Sequence, residues 1–177
     1  MMSDDSTELE FKAFAELFAF RNAAVLKQIV FFKRPKFWIE KIALGSADAK
    51  INDEGFAVVG LGIIPEKQRD VISDMAQEML SWVSVDTGVA FGLVGGDRIE
   101  GSIRSLNDGL NVSELCKKLG GTCGTGGGKL GKGAYRLPLA GFSLDGDEEE
   151  NEANEVWDLI RKRETKRILR TVKKITG

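Results

Sequence analysis

Residues Gly55 to Ser105, GFAVVGLGIIPEKQRDVISDMAQEMLSWVSVDTGVAFGLVGGDRIEGSIRS, pass from one apolar run through a periodic stretch to two further runs. Gly55 to Ile64 is short, apolar and rich in valine and isoleucine, which predicts a buried strand. Pro65 suits the first turn of a helix, and Val71, Ile72, Met75, Met79 and Leu80 then mark one helical face as far as Trp82. Thr87 to Val94 and Arg98 to Ser105 read as two strands, and the intervening Gly95-Gly96-Asp97 is a strong hairpin signal.

The pattern extends outward in both directions. Asn111 to Leu119 reads as a short helix that Asn111 or Ser113 can cap and that Gly120-Gly121 ends. Ala134 to Phe142 reads as a last strand. Upstream, Leu9, Phe11, Phe14, Leu17, Phe18, Val25, Leu26 and Ile29 fall at helical spacings over residues 7 to 33, as one long or two shorter helices, until Pro35 stops them. That row of phenylalanines needs a sheet or a partner chain to cover it, and an intramolecular core is the simpler expectation.

The strand-helix-strand-strand-helix-strand order predicts an α+β fold: a mixed β-sheet with helices on one face, a helical N-terminal preface and a C-terminal helix. The expected divisions are a preface over 1–36, the α+β domain over 37–143, and an acidic linker with a basic amphipathic helix over 144–177.

The 177 residues carry a net charge of −2, with 42% hydrophobic and 29% charged residues, a composition ordinary for a soluble globular chain. No apolar run approaches the roughly 20 residues that span a bilayer, and the amino terminus MMSDDSTELE is acidic where a signal peptide is basic. The expectation is a cytoplasmic protein with no membrane partner. Cys116 and Cys123 are the only cysteines and histidine is absent, so a typical four-ligand zinc site cannot be completed within the chain. Both read as free thiols, and no metal site, cofactor or catalytic residue is expected.

Gly120 to Tyr135, GGTCGTGGGKLGKGAY, places eight glycines in fourteen positions beside Lys129 and Lys132. It is not the phosphate loop GxxxxGK[ST]: Cys123 stands where the first glycine belongs and Leu130 where the hydroxyl belongs. Gly126, Gly128 and Gly131 match GxGxxG, but a helix precedes them and a strand follows, the reverse of a dinucleotide site. Two readings remain. Bare backbone can bring main-chain N–H groups against a phosphate, with the lysines adding charge, or it can let two elements pack closely.

The segment EGSIRSLNDGLNVSELCKKLGG followed by GGGKLGKGAYRLPL resembles the DHH-associated domain, which lies carboxyl-terminal to the catalytic domain in RecJ-like exonucleases and oligoribonucleases of the DHH phosphoesterase superfamily. The matching features are the strand with Ser102, Arg104 and Ser105, the helix Val112 to Leu119, and the glycine run Gly126, Gly127 and Gly128, within a likeness spanning roughly Phe56 to Leu139. The resemblance implies that Arg104 and the glycine run, with Lys129 and Lys132 beside them, contact the phosphates of a nucleotide or a single strand. Lys129 occupies the place of the family's histidine, and GTCGT precedes the glycine triplet as an insertion. The aspartates and histidines of a catalytic DHH domain have no counterpart, so the chain alone is expected to be no enzyme.

At the carboxyl end, Asp145, Asp147, Glu148, Glu149, Glu150, Glu152, Glu155 and Asp158 precede Arg161, Lys162, Arg163, Lys166, Arg167, Arg170, Lys173 and Lys174. Val156, Leu159, Ile160, Ile168, Leu169, Val172 and Ile175 keep an apolar stripe, and acids first with bases last suit a helix dipole. This is a surface helix, partly self-paired as between Glu164 and Arg167, or a basic arm for a nucleic-acid backbone or an acidic partner.

Two functions fit. One is a non-catalytic RecJ-like subunit that binds single-stranded DNA or RNA, or acts as a scaffold, within replication or repair machinery that includes a protein partner. The other is the substrate-binding half of a split phosphoesterase or exonuclease acting on single strands or oligonucleotides.

Overall fold

Strand β2 (Phe56–Ile64) runs parallel to β3 (Thr87–Val94) because the chain between them returns through a helix, α4 (Asp70–Glu78). These elements belong to a computed structural model that describes residues 7–31, 33–139 and 150–176 and divides into two compact units, Met1–Pro35 and Lys36–Gly177.

The first unit holds α1 (Glu8–Phe18) and α2 (Ala23–Val30). Thr7 and Glu10 form a reciprocal capping box at the start of α1, and the Asn22 side chain accepts the first amides of α2. No residue of either helix is buried. Within this unit the phenylalanine row builds no core of its own, and Phe11 and Phe14 remain more than half exposed.

In the second unit, α3 (Lys36–Asp48) and the two-residue β1 (Lys50–Ile51) lead into β2. Pro65 opens a short 3-10 turn ahead of α4. The hairpin at Gly95-Gly96-Asp97 joins β3 to β4 (Arg98–Ser105), which pair antiparallel from Val94 opposite Arg98 to Thr87 opposite Ser105. Asn111 caps α5 (Val112–Gly120) by accepting the Glu114 amide. The glycine tract then forms an edge strand, β5 (Thr125–Lys129), paired with β6 (Lys132–Pro138), and α6 (Glu150–Thr176) closes the fold. The six-stranded mixed sheet has the order β1-β2-β3-β4-β6-β5. Residues 140–142 of the expected last strand, and the acids Asp145, Asp147, Glu148 and Glu149, lie outside the described residues.

The α+β class and mixed sheet are as the sequence pattern indicated, but the helices cover both faces. Alternation along the strands sends Val58, Phe91 and Ile103 into one core with α5 and α6. It sends Val59, Leu61 and Ala90 into a second core with α3 and α4. Sequence order carries no information about which face a helix takes.

Helix α6 buries Trp157, Ile168 and Val172 against the first core. It is fastened there by Glu164, whose buried side chain accepts from the Tyr135 hydroxyl at 2.8 Å and from Arg167 at 2.6 and 2.8 Å. Arg167 also donates to the Leu119 carbonyl, tying α6 to the end of α5. Burial, then the Glu164 carboxylate, holds the Tyr135 phenol well above its ordinary value. Burial opposes the charge on Arg167, but the bonds and charge of Glu164 outweigh it and raise that pKa.

Removing the carboxylate leaves Arg167 and the Tyr135 hydroxyl without their partner. Glu164→Ala is expected to cost about 3 kcal/mol, low in the range for broken buried pairs because Arg167 is partly exposed, and Tyr135→Phe about 1 kcal/mol. Urea unfolding at neutral pH measures both. The raised phenol pKa means Tyr135 favours the folded state fully below about pH 10 and loses that effect as alkali ionises it. The Tyr135→Phe difference should therefore shrink at strongly alkaline pH.

Candidate functional site

Beyond α4, the face of β4, β6 and β5 opposite α5 forms a groove of about 790 Å³. Period-two alternation and the strand register arrange its floor in three rows. Glu100, Arg136 and Thr125 form the first; Ser102, Ala134 and Gly127 the second; Arg104, Lys132 and Lys129 the third. At the spacing of about 4.8 Å between neighbouring strands, the third row sets three cations across about 10 Å. Asp70 and Ser73 from α4, with Arg69 at its N-cap, form a wall.

The two outer rows differ electrostatically. At the first, Arg98 donates to Glu100 at 2.9 Å and to Asp97 at 2.9 Å and is bonded to Glu66, while Arg136 reaches Glu100 at 2.8 Å. The hydrogen bond to Glu100 leads the causes that hold the Arg98 guanidinium above its already high ordinary pKa. At the third row, no carboxylate among the described residues comes within ion-pair distance of Arg104, Lys129 or Lys132. The groove as a whole is lined by five cations, Arg69, Arg104, Lys129, Lys132 and Arg136, against the carboxylates of Asp70 and Glu100.

Arg104 is held back along its strand by bonds to the Ser102 hydroxyl and the Ile103 carbonyl, both 3.1 Å. The small middle row leaves room beside it. A side chain on Gly127 would meet nothing within 4 Å. Gly126, one residue earlier, points the other way, and a Cβ there would run into the Cys116 carbonyl of α5. The same glycine run thus packs closely on one face and leaves an open floor on the other.

Of the residues expected from sequence, Ser102, Arg104, Gly126, Gly127, Gly128, Lys129 and Lys132 gather at this groove. Two expectations are corrected. Ser105 faces the opposite side, where its hydroxyl shares a buried 2.7 Å bond with Thr87 and accepts the Asn107 amide. The glycine run is an extended strand instead of a looped anion nest; the left-handed residue is Gly131, at φ 68°, in the turn to β6.

The basic residues of the tail do not join the groove. Helix α6 lies on the other face of the sheet, so Arg161, Lys162, Arg163, Lys166, Arg167, Arg170, Lys173 and Lys174 are separated from Arg104 by the sheet itself. Arg167 is committed to Glu164, and Arg161 pairs with Asp158 at 3.1 Å and Asp48 at 3.7 Å. The other six remain exposed.

Arg69, Glu100 and Arg136 were not singled out from the sequence. Alternation about Arg104 would have placed Glu100 on its face, and alternation about Lys132 would have placed Arg136 there. Arg69, at the N-cap of α4, reaches the groove through tertiary packing alone. Among the described residues, no three His, Cys, Asp or Glu side chains group as metal ligands. Cys116 and Cys123 are both free, and burial pushes the Cys116 thiol up to about 12.

No protein-family model matches the chain, and no curated protein matches it in sequence. Among solved structures, an exopolyphosphatase-related protein from Bacteroides fragilis is 12% identical with a TM-score of 0.53, over 98% of this chain and 46% of that one. The chain thus shares its fold with part of that protein and spans less than half its length. The C-Ala domain of Aquifex aeolicus alanyl-tRNA synthetase is similar at TM-score 0.39 and 18% identity, over 60% of this chain and 90% of that one. An uncharacterized protein from Helicobacter pylori G27 is similar at 0.36 and 16%, over 91% and 42%.

The two-sided glycine run predicts opposite outcomes at neighbouring positions. Gly126→Ala should destabilise by about 2 kcal/mol or more, as overpacking against a helix backbone does, whereas Gly127→Ala should stay within about 0.5 kcal/mol. Thermal unfolding of the two variants measures the contrast.

Proposed function

We propose that the chain is a non-catalytic, nucleic-acid-holding subunit that seats the phosphates of a single strand in the groove over β4, β6 and β5. The observation that carries this reading is the row Arg104, Lys132 and Lys129, three cations without carboxylate partners among the described residues, beside a floor of small residues. Such a row attracts a chain of negative charge, and the open floor lets its backbone approach. The edge position of β5 adds main-chain groups that a strand backbone can reach. The resemblance to DHH-associated domains assigns phosphate contacts to Arg104 and the glycine run, consistent with this placement. Attachment to replication or repair machinery belongs to the same proposal and rests on the RecJ-like resemblance alone.

A second reading, the substrate-binding half of a split phosphoesterase, is favoured by one observation: the chain matches 46% of an exopolyphosphatase-related protein. It predicts that a separate metal-binding chain restores hydrolysis, which the first reading does not.

Fluorescence anisotropy with labelled single-stranded DNA and RNA of equal length, at two salt concentrations with magnesium present, tests the proposal. Salt-sensitive binding without degradation is expected. Arg104→Ala should weaken binding roughly tenfold, in line with about 1.5 kcal/mol for a charged hydrogen bond, and the Arg104, Lys129 and Lys132 triple alanine variant should lower the salt slope by about two. Unchanged affinity and slope in the triple variant would exclude the groove.

A further inference from the structure

The geometry points to a second, independent phosphate-backbone site on the outer face of α6, so that one chain bridges two segments of single strand, one on each face of its sheet. This inference rests on the groove reading for the first segment. Lys162, Arg163, Lys166, Arg170, Lys173 and Lys174 are all exposed, and at 3.6 residues per turn they fall within about a third of the helix circumference. They extend over about 18 Å of helix, the length of about five phosphates at 3.4 Å per step along one strand of a duplex. No carboxylate among the described residues pairs with any of the six, because Glu164, the acid within their span, is turned inward onto Tyr135 and Arg167.

The occupant is argued from this chemistry. A docked protein would need apolar anchors among the charges, and the stripe from Lys162 to Lys174 offers none; Leu159, 70% exposed, lies before it. A second copy laid antiparallel would bring Lys162, Arg163 and Lys166 against Lys174, Lys173 and Arg170, cation against cation. A regularly charged backbone is satisfied by charge alone. The sheet separates the stripe from the groove: Arg104 faces the side of α4, while Ile103 packs with Ile168 and Val172 on the side of α6. A single short strand cannot occupy both.

The test mixes donor- and acceptor-labelled thymidine oligonucleotides, which cannot pair with each other, with the full-length protein. Energy transfer should rise when oligonucleotide exceeds protein, with two bound per chain, and fall when protein is in excess. A variant with Lys162, Arg163, Lys166 and Arg170 changed to Gln keeps helix-forming residues at exposed positions and should fold. It should bind one oligonucleotide, give no transfer, and lower the total salt slope by about three. The groove triple alanine variant should likewise retain one oligonucleotide, on α6.

Transfer that persists in the Gln variant would overturn bridging within one chain and show grooves brought together by self-association. Loss of all binding in the groove variant would overturn the second site while leaving the groove reading intact. Binding of two oligonucleotides that the groove variant does not change would instead overturn the groove reading. Selective displacement from α6 by poly-glutamate, at concentrations that oligonucleotide of equal charge does not match, would overturn the nucleic-acid occupant in favour of an acidic protein.

Discussion

Helix α5 lies directly on the backbone of β5, an approach that position 126 permits only without a side chain. That contact seals one face of the β4-β6-β5 half of the sheet. The seal is extended by α6, which the buried Glu164 ties to Tyr135 on β6 and, through Arg167, to the carbonyl at the end of α5. With one face closed, strand alternation leaves no choice for the other: Ser102, Arg104, Lys132, Ala134 and Arg136 turn outward, and register lines them into rows. A slip of one residue in β6 would send Tyr135 into solvent and Lys132 into the core.

The outward face becomes a groove because α4 is short. Nine residues long, it packs on β3 and β4 and leaves β6 and β5 uncovered. The charge pattern then separates into two ends. Around Glu100, arginines and acids neutralise one another and brace β4, β6 and the turn before α4. At Arg104, Lys132 and Lys129 no such neutralisation occurs among the described residues, and the field of three cations is available to a ligand.

Much of this could be read from the residues. The apolar runs flanking Pro65 and the Gly-Gly-Asp turn gave β2, β3 and β4 nearly to the residue, and Asn111 marked α5; the helix expected from Pro65 to Trp82 is α-helical only over Asp70–Glu78, between two 3-10 turns. Helix α3 carries little signal in the sequence, because it follows Pro35 directly and buries Gly45 alone. Strand β5 escaped because three consecutive glycines have poor strand propensity; pairing to β6 and packing under α5 override it. Arg104 and the lysines were legible through resemblance and charge, but their alignment depends on which residues of β4, β6 and β5 stand opposite one another, which only tertiary pairing decides. The same holds for the tail: its helix and basic stripe were visible, while its position across the sheet from Arg104 was not.

In the proposed function a phosphate backbone lies along the Arg104 row. Amide hydrogen exchange of the whole protein, with and without a single-stranded oligonucleotide, tests it most directly. Added protection over residues 125–133 and the Arg104 end of β4 is expected. Protection that leaves β5 and β6 unchanged, with bound oligonucleotide present, would contradict it.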